Sequence, residues 1–354
     1  MKSMEDDSGL DGRAQEIGER DMVENRGEIG LVSRAREWSD KTAILDADGA
    51  HGYEDLLRAS RFVAGSLLKR LGVPDLDESP ICFLVPPEFT YVAVQWGIWR
   101  AGGMAVPLAV SHPPRELAWV LDDARPPVVV AHASMIDRVE PLARERGIPV
   151  LSPDELNAGG GQRSDASAGW GGDSPPGLEA SADGGGDSPP GSEARAAAPD
   201  DFPDIFPDRA ALMLYTSGTT GRPKGVVHTH GSLEAQMGTL TRAWEWTGDD
   251  RILLVLPLHH LHGLMNVLAC ALWSGASCRM HPGFDAAKTW TAIAAGDLTL
   301  FMAVPTIYHR LAGLWEKQEA DIRDSWSRGA GAMRLMVSGS AALPVTLLEQ
   351  WERI

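Results

Sequence analysis

Residues 215–225 read Tyr-Thr-Ser-Gly-Thr-Thr-Gly-Arg-Pro-Lys-Gly, the most chemically loaded stretch of the 354-residue sequence. Gly218, Gly221 and Gly225 permit tight turns that bring backbone N–H groups close to an anion. Thr216, Ser217, Thr219 and Thr220 add neutral donors, and Lys224 adds a positive charge. Set between a strand and a helix, such a loop is a cradle for phosphate groups. It is not the P-loop of the common nucleotidases, because Pro223 stands where the second glycine belongs, and it does not fit G-x-G-x-x-G. An unspecialised Ser/Thr/Gly turn would need neither the lysine nor the proline.

His259, His260 and His262 follow an apolar run at 251–256. By residue type they fit satisfied core or helix-capping groups, and a metal site would need a carboxylate or cysteine that their surroundings lack. Arg279 leaves the next apolar run and is either a partner for a substrate carboxylate or a solvated surface arginine. Gly339-Ser340-Ala341-Ala342-Leu343-Pro344 reads as a strand-to-helix turn of small residues.

The elements that must position these residues alternate. Strands are expected at 81–85, 104–108, 128–131, 211–215, 251–256, 276–280, 298–304 and 333–339, with helices at 87–101, 115–123, 136–146, 232–244 and near 263–273, 285–295, 305–317 and 344–353. This βα alternation predicts an α/β fold of parallel sheets covered by helices. Residues 157–200, rich in Gly, Ala, Ser, Asp and Pro, contain the near-repeat GGDSPPGLEA/GGDSPPGSEA and are expected to be a disordered insertion, either within one assembly or between two halves. Residues 1–27 are expected to be a disordered tail.

The string YTSGTTGRPKGVVHTH resembles the signature loop of the adenylate-forming superfamily, and the likeness runs from about residue 30 to residue 354. Within it, segments 256–278, 301–308 and 334–344 look most like malonyl-CoA synthetases. The resemblance implies the large N-terminal domain of these enzymes, spanning 28–354. It implies an acid–thiol ligase that uses ATP, Mg2+ and coenzyme A to convert a short dicarboxylate such as malonate or methylmalonate to an adenylate and then a thioester, within fatty acid metabolism. Thr216, Ser217, Gly218, Thr219, Thr220, Gly221, Lys224 and Gly225 would hold the ATP phosphates, and Gly339, Ser340, Ala341 and Ala342 would border adenine. His259, His260 and His262, with Arg279, would line the acyl pocket; Lys224 and His260 are the residues given catalytic roles. The family's Tyr-Gly-x-Thr-Glu motif, ribose-binding aspartate and C-terminal lysine would all follow Ile354, so the isolated chain is expected to be catalytically incomplete, with no metal ligands of its own. A non-catalytic nucleotide-binding fragment, or an adenylating enzyme with another acyl acceptor, are the alternatives.

Composition excludes other classes. Segments 1–30 and 153–208 carry −15 of the net −17, so the remainder is near neutral and offers no basic stripe for nucleic acid. The expected partners are small-molecule substrates, without membrane insertion, and the oligomeric state is not legible. Cys82, Cys270 and Cys278 lie in apolar contexts without metal-like spacing and read as buried thiols. The acidic N-terminus lacks a secretory or transit pattern, which favours a cytoplasmic location with a mitochondrial one as the alternative.

Overall fold

Short apolar runs fold into strands throughout the residues that this computed structural model describes, 27–157, 202–216 and 223–354. β1 (Thr42–Asp46), β2 (Gly49–Gly52), β9 (Arg251–Leu254), β10 (Ser277–Met280), β11 (Leu300–Ala303) and β12 (Leu335–Ser338) form one sheet, ordered β12-β11-β9-β10-β1-β2. β3 (Pro80–Leu84), β4 (Met104–Pro107), β5 (Val129–Ala131), β6 (Val150–Leu151), β7 (Ala210–Thr216) and β8 (Lys224–Thr229) form the other, ordered β6-β5-β3-β4-β7-β8. All pairings are parallel except those of the edge strands, β2 with β1 and β8 with β7. Parallel strands covered on both faces bury every residue, which is why β4, β5 and β11 read as unbroken apolar runs.

Helices supply the cover. Tyr53–Leu71 packs on Phe89–Arg100, and a Cβ on Gly97 would collide with Val63, so this contact requires glycine. Pro114–Ala124 lays Leu117, Val120 and Leu121 on Cys82, Leu84 and Val106 of the second sheet. Cys82, Cys270 and Cys278 are buried free thiols, and burial pushes the Cys270 thiol up to about 12.

The expected strands and helices recur with ends shifted by a few residues, but five features differ. The hairpin β1–β2, the helix Tyr53–Leu71 and the helix Ala320–Gly331 were not anticipated. Residues 224–229, expected to lie in loop, form β8. The helix near 263–273 begins as a π-helix, His262–Ala269. All but residue 27 of the expected tail 1–27, and all but residue 157 of the expected insertion 157–200, lie outside the described residues; β6 and β7, which precede and follow that segment, share one sheet, so it falls within one assembly and not between two halves.

Candidate active site

Ligands of open parallel sheets sit beyond the carboxyl ends of the strands. Here both sheets deliver those ends to one cavity of about 690 Å³. Val85 follows β3, Leu108 and Val110 follow β4, and Val255 to Leu261 follow β9. Pro282 to Phe284 follow β10, Val304 and Thr306 follow β11, and Ser340 follows β12. Most of the wall is apolar.

The histidine segment forms its floor. Pro257 and Leu258 turn the chain away from β9, and the Tyr91 hydroxyl donates to the Leu258 carbonyl at 3.1 Å. Gly263, the second residue of the π-helix, sits where a Cβ would stand 2.6 Å from the Pro257 carbonyl oxygen. Wide π turns occur often at functional sites. His259 and His260 have ring centroids 4.2 Å apart, and His112 approaches His259 at 5.3 Å. Burial, then the neighbouring imidazoles, depress His259 to about 4; burial, then His112, lowers His260; burial lowers His262. All three are therefore neutral at pH 7, hydrogen-bonding groups and not cations. His262 Nδ1 lies 3.0 Å from Ser340 Oγ, and its buried Nε2 has no partner among the described residues. Among those residues no His/Cys/Asp/Glu group is arranged to hold a metal ion.

The positive charge comes from a residue that sequence reasoning missed. Arg310 lies on the rim of the cavity, its guanidinium 5.6 Å from the Phe284 ring centroid. Thr306, one helical turn earlier on Pro305–Trp315, lines the same wall. The i, i+4 spacing of a hydroxyl and a guanidinium just after β11 was the signal available. Arg279 must be corrected: it is absent from the wall, and its guanidinium donates to Asp297 at 2.6 Å. A strand position alone does not tell which neighbour a side chain meets.

The small-residue turn is in place. Gly339 lies against His262, where a Cβ would stand 3.1 Å from the ring, and Ser340 adopts φ +66°. Ala341 and Ala342 follow it, exposed, ahead of the helix Val345–Trp351.

The candidate phosphate loop joins two strands, which corrects the strand-to-helix setting. Thr216 ends β7, Lys224 begins β8, and the two are cross-strand partners. The helix that follows starts only at His230. Ser217, Gly218, Thr219, Thr220 and Gly221 lie outside the described residues. Because β7 runs parallel to β4, the hairpin leaves the sheet at the carboxyl end, where β4 meets the cavity. Lys224 is exposed there. Gly225 has a local reason to be glycine: a Cβ would stand 2.7 Å from Met213 Sδ and 3.3 Å from the Tyr215 ring across the pair.

Residues 31–354 match the family model for AMP-binding enzymes. The chain belongs to that family. This AMP-binding chain is 38% identical over 92% of its length to malonate–CoA ligase ACSF3, mitochondrial, of Xenopus laevis, covering 53% of that protein. It is 35% identical to the Homo sapiens protein of the same name, with 92% and 52% covered. The crystal structure of apo MatB from Rhodopseudomonas palustris aligns with a TM-score of 0.70 at 26% identity, over 92% of this chain and 57% of that one. The chain thus spans about half the length of the curated relatives it matches. The fold is that of the N-terminal domain of adenylate-forming enzymes, as the resemblance implied.

Proposed function

We propose that this AMP-binding chain holds ATP and a short dicarboxylic acid, malonate or methylmalonate, for activation to an acyl-adenylate and then to acyl-CoA. The observation that carries the acid's identity is Arg310, a guanidinium on the rim of a mostly apolar cavity floored by neutral imidazoles. The reacting carboxylate faces His259, His260 and His262, and the distal carboxylate pairs with Arg310. A long fatty acid would have no use for that cation, whereas a dicarboxylate would lose about 2 kcal/mol without it.

Attack of the acid on the α-phosphorus expels pyrophosphate and gathers negative charge, so positioned donors and cations do the work. In this reading Thr216, Ser217, Gly218, Thr219, Thr220, Gly221 and Gly225 contribute donors and close backbone approach to the β- and γ-phosphates, and Lys224 neutralises them. Gly339, Ser340, Ala341 and Ala342 border adenine. Mg2+ arrives with the nucleotide, and coenzyme A is the acyl acceptor. The names of the vertebrate relatives carry the word mitochondrial, which supports that compartment over the cytoplasmic expectation.

The test is equilibrium binding of malonate, methylmalonate, succinate, acetate, octanoate and palmitate to the chain with Mg-ATP present. Malonate or methylmalonate should bind most tightly. Tighter binding of octanoate or palmitate would remove the dicarboxylate assignment.

A further inference from the structure

Trp119 and Asp123 stand four residues apart on the helix Pro114–Ala124, and each binds one side of the β7–β8 hairpin. Trp119 Nε1 donates to the Pro223 carbonyl at 3.1 Å, just before β8. The Tyr215 hydroxyl, on the penultimate residue of β7, donates to Asp123 Oδ2 at 2.7 Å. Residues at i and i+4 share one helix face, so a single helix grips both stems of the loop.

From these contacts we infer that Trp119 and Asp123 are positioning residues that fix the spacing of the two stems, and through them the phosphate-binding groups at the ends, Thr216 and Lys224. The proposal rests on the reading of residues 216–225 as the phosphate loop.

The clamp has a rigid base. Leu117, Val120 and Leu121 are buried against the second sheet, and Arg146 grips Asp122 of the same helix through two hydrogen bonds, at 2.6 and 2.9 Å. It also has a reason to be needed. β8 is an edge strand, paired among the described residues only with β7, and its residues from Lys224 to Val227 are exposed, so packing does little to fix its register. The absent side chain of Gly225, the cross-strand partner of Tyr215, leaves room for the Tyr215 ring. Burial, then the hydrogen bond to Asp123, raises the Tyr215 pKa, so the phenol stays protonated and donates at physiological pH.

The experiment uses the 354-residue chain with Trp119→Phe, Asp123→Ala, Asp123→Asn and Lys224→Ala. Amide hydrogen exchange is followed in peptides covering both stems, beside equilibrium binding of Mg-ATP. Trp119→Phe and Asp123→Ala should each speed stem exchange and weaken Mg-ATP binding by about fivefold, the loss of one hydrogen bond. Asp123→Asn keeps a carbonyl acceptor and should restore both. Wild-type stem exchange in Trp119→Phe and Asp123→Ala would overturn the clamp. So would unchanged ATP affinity in these two where Lys224→Ala weakens it, or exchange rising equally through the whole sheet. If Lys224→Ala leaves ATP binding unchanged, the phosphate reading of the loop fails separately, and stem exchange alone decides the clamp.

Discussion

The acid cavity and the phosphate hairpin are built in opposite ways. The cavity wall consists of parallel strand ends from two sheets, seated on fully buried residues such as Phe83, Leu254 and Ala303. The hairpin stands on an edge strand where Val226 and Val227 remain 41% and 50% exposed, and side-chain hydrogen bonds from one helix brace it. Packing makes the first shape permanent. Individual hydrogen bonds set the second, so the two should respond to different injuries: the cavity to changes of volume and charge, the hairpin to loss of a donor or acceptor.

The largest expected effect is at the cavity floor. Gly263→Ala forces a Cβ to 2.6 Å from a backbone oxygen that has little freedom to retreat. Overpacking of this kind should cost about 3 kcal/mol, read as a lower midpoint in urea, while stem exchange in the hairpin keeps its wild-type rate. A midpoint within error of wild type would show that the floor yields.

Acid should act next. Burial, then Arg209, depresses His230 to about 4, and the residue is only 5% exposed where the helix after β8 begins. A histidine whose folded pKa lies below its unfolded value near 6.5 contributes stability that is complete above about pH 6.5 and is lost as pH falls through 4. The whole effect is roughly 3 kcal/mol at most. His230→Gln should flatten the fall in stability between pH 6.5 and 4; an unchanged slope would assign it to other groups.

Loss of the cavity's cation comes third. Arg310→Ala should weaken malonate binding by roughly 30-fold, about 2 kcal/mol at an exposed rim, and leave Mg-ATP binding near wild type. Equal losses for malonate and acetate would mean that Arg310 holds the wall and not the distal carboxylate. The smallest effect is the fivefold weakening of Mg-ATP binding from Trp119→Phe.

Much of this was legible in the sequence. Runs such as those of β3, β4 and β11 announce themselves because parallel strands under helices are apolar at every position. The roles expected of the histidine segment and the Gly-Ser-Ala-Ala turn came from the family resemblance, since by residue type alone they read as core histidines and a plain turn; the structure brings His262 and Ser340 together. β8 was missed because Lys-Gly-Val-Val-His-Thr is half polar and lies at an edge, where alternation has no core to obey. The pairing of β1 with β10 joins Ile44 to Cys278, a partnership that no local pattern encodes. Arg279 and Arg310 show the same limit at the site. Both follow the rule of a basic residue near a strand end, but Arg279 finds Asp297 and Arg310 finds the cavity, and only the packed chain decides which.

The central claim is that the cavity takes a short acid with a second carboxylate, held by Arg310. Equilibrium dialysis of radiolabelled malonate, acetate and octanoate against the 354-residue chain and its Arg310→Ala variant, with Mg-ATP present, tests it directly. The wild-type chain should retain malonate in preference to both other acids, and the variant should lose malonate while its acetate binding is unchanged. Octanoate retained above malonate, or malonate binding untouched in Arg310→Ala, would contradict it.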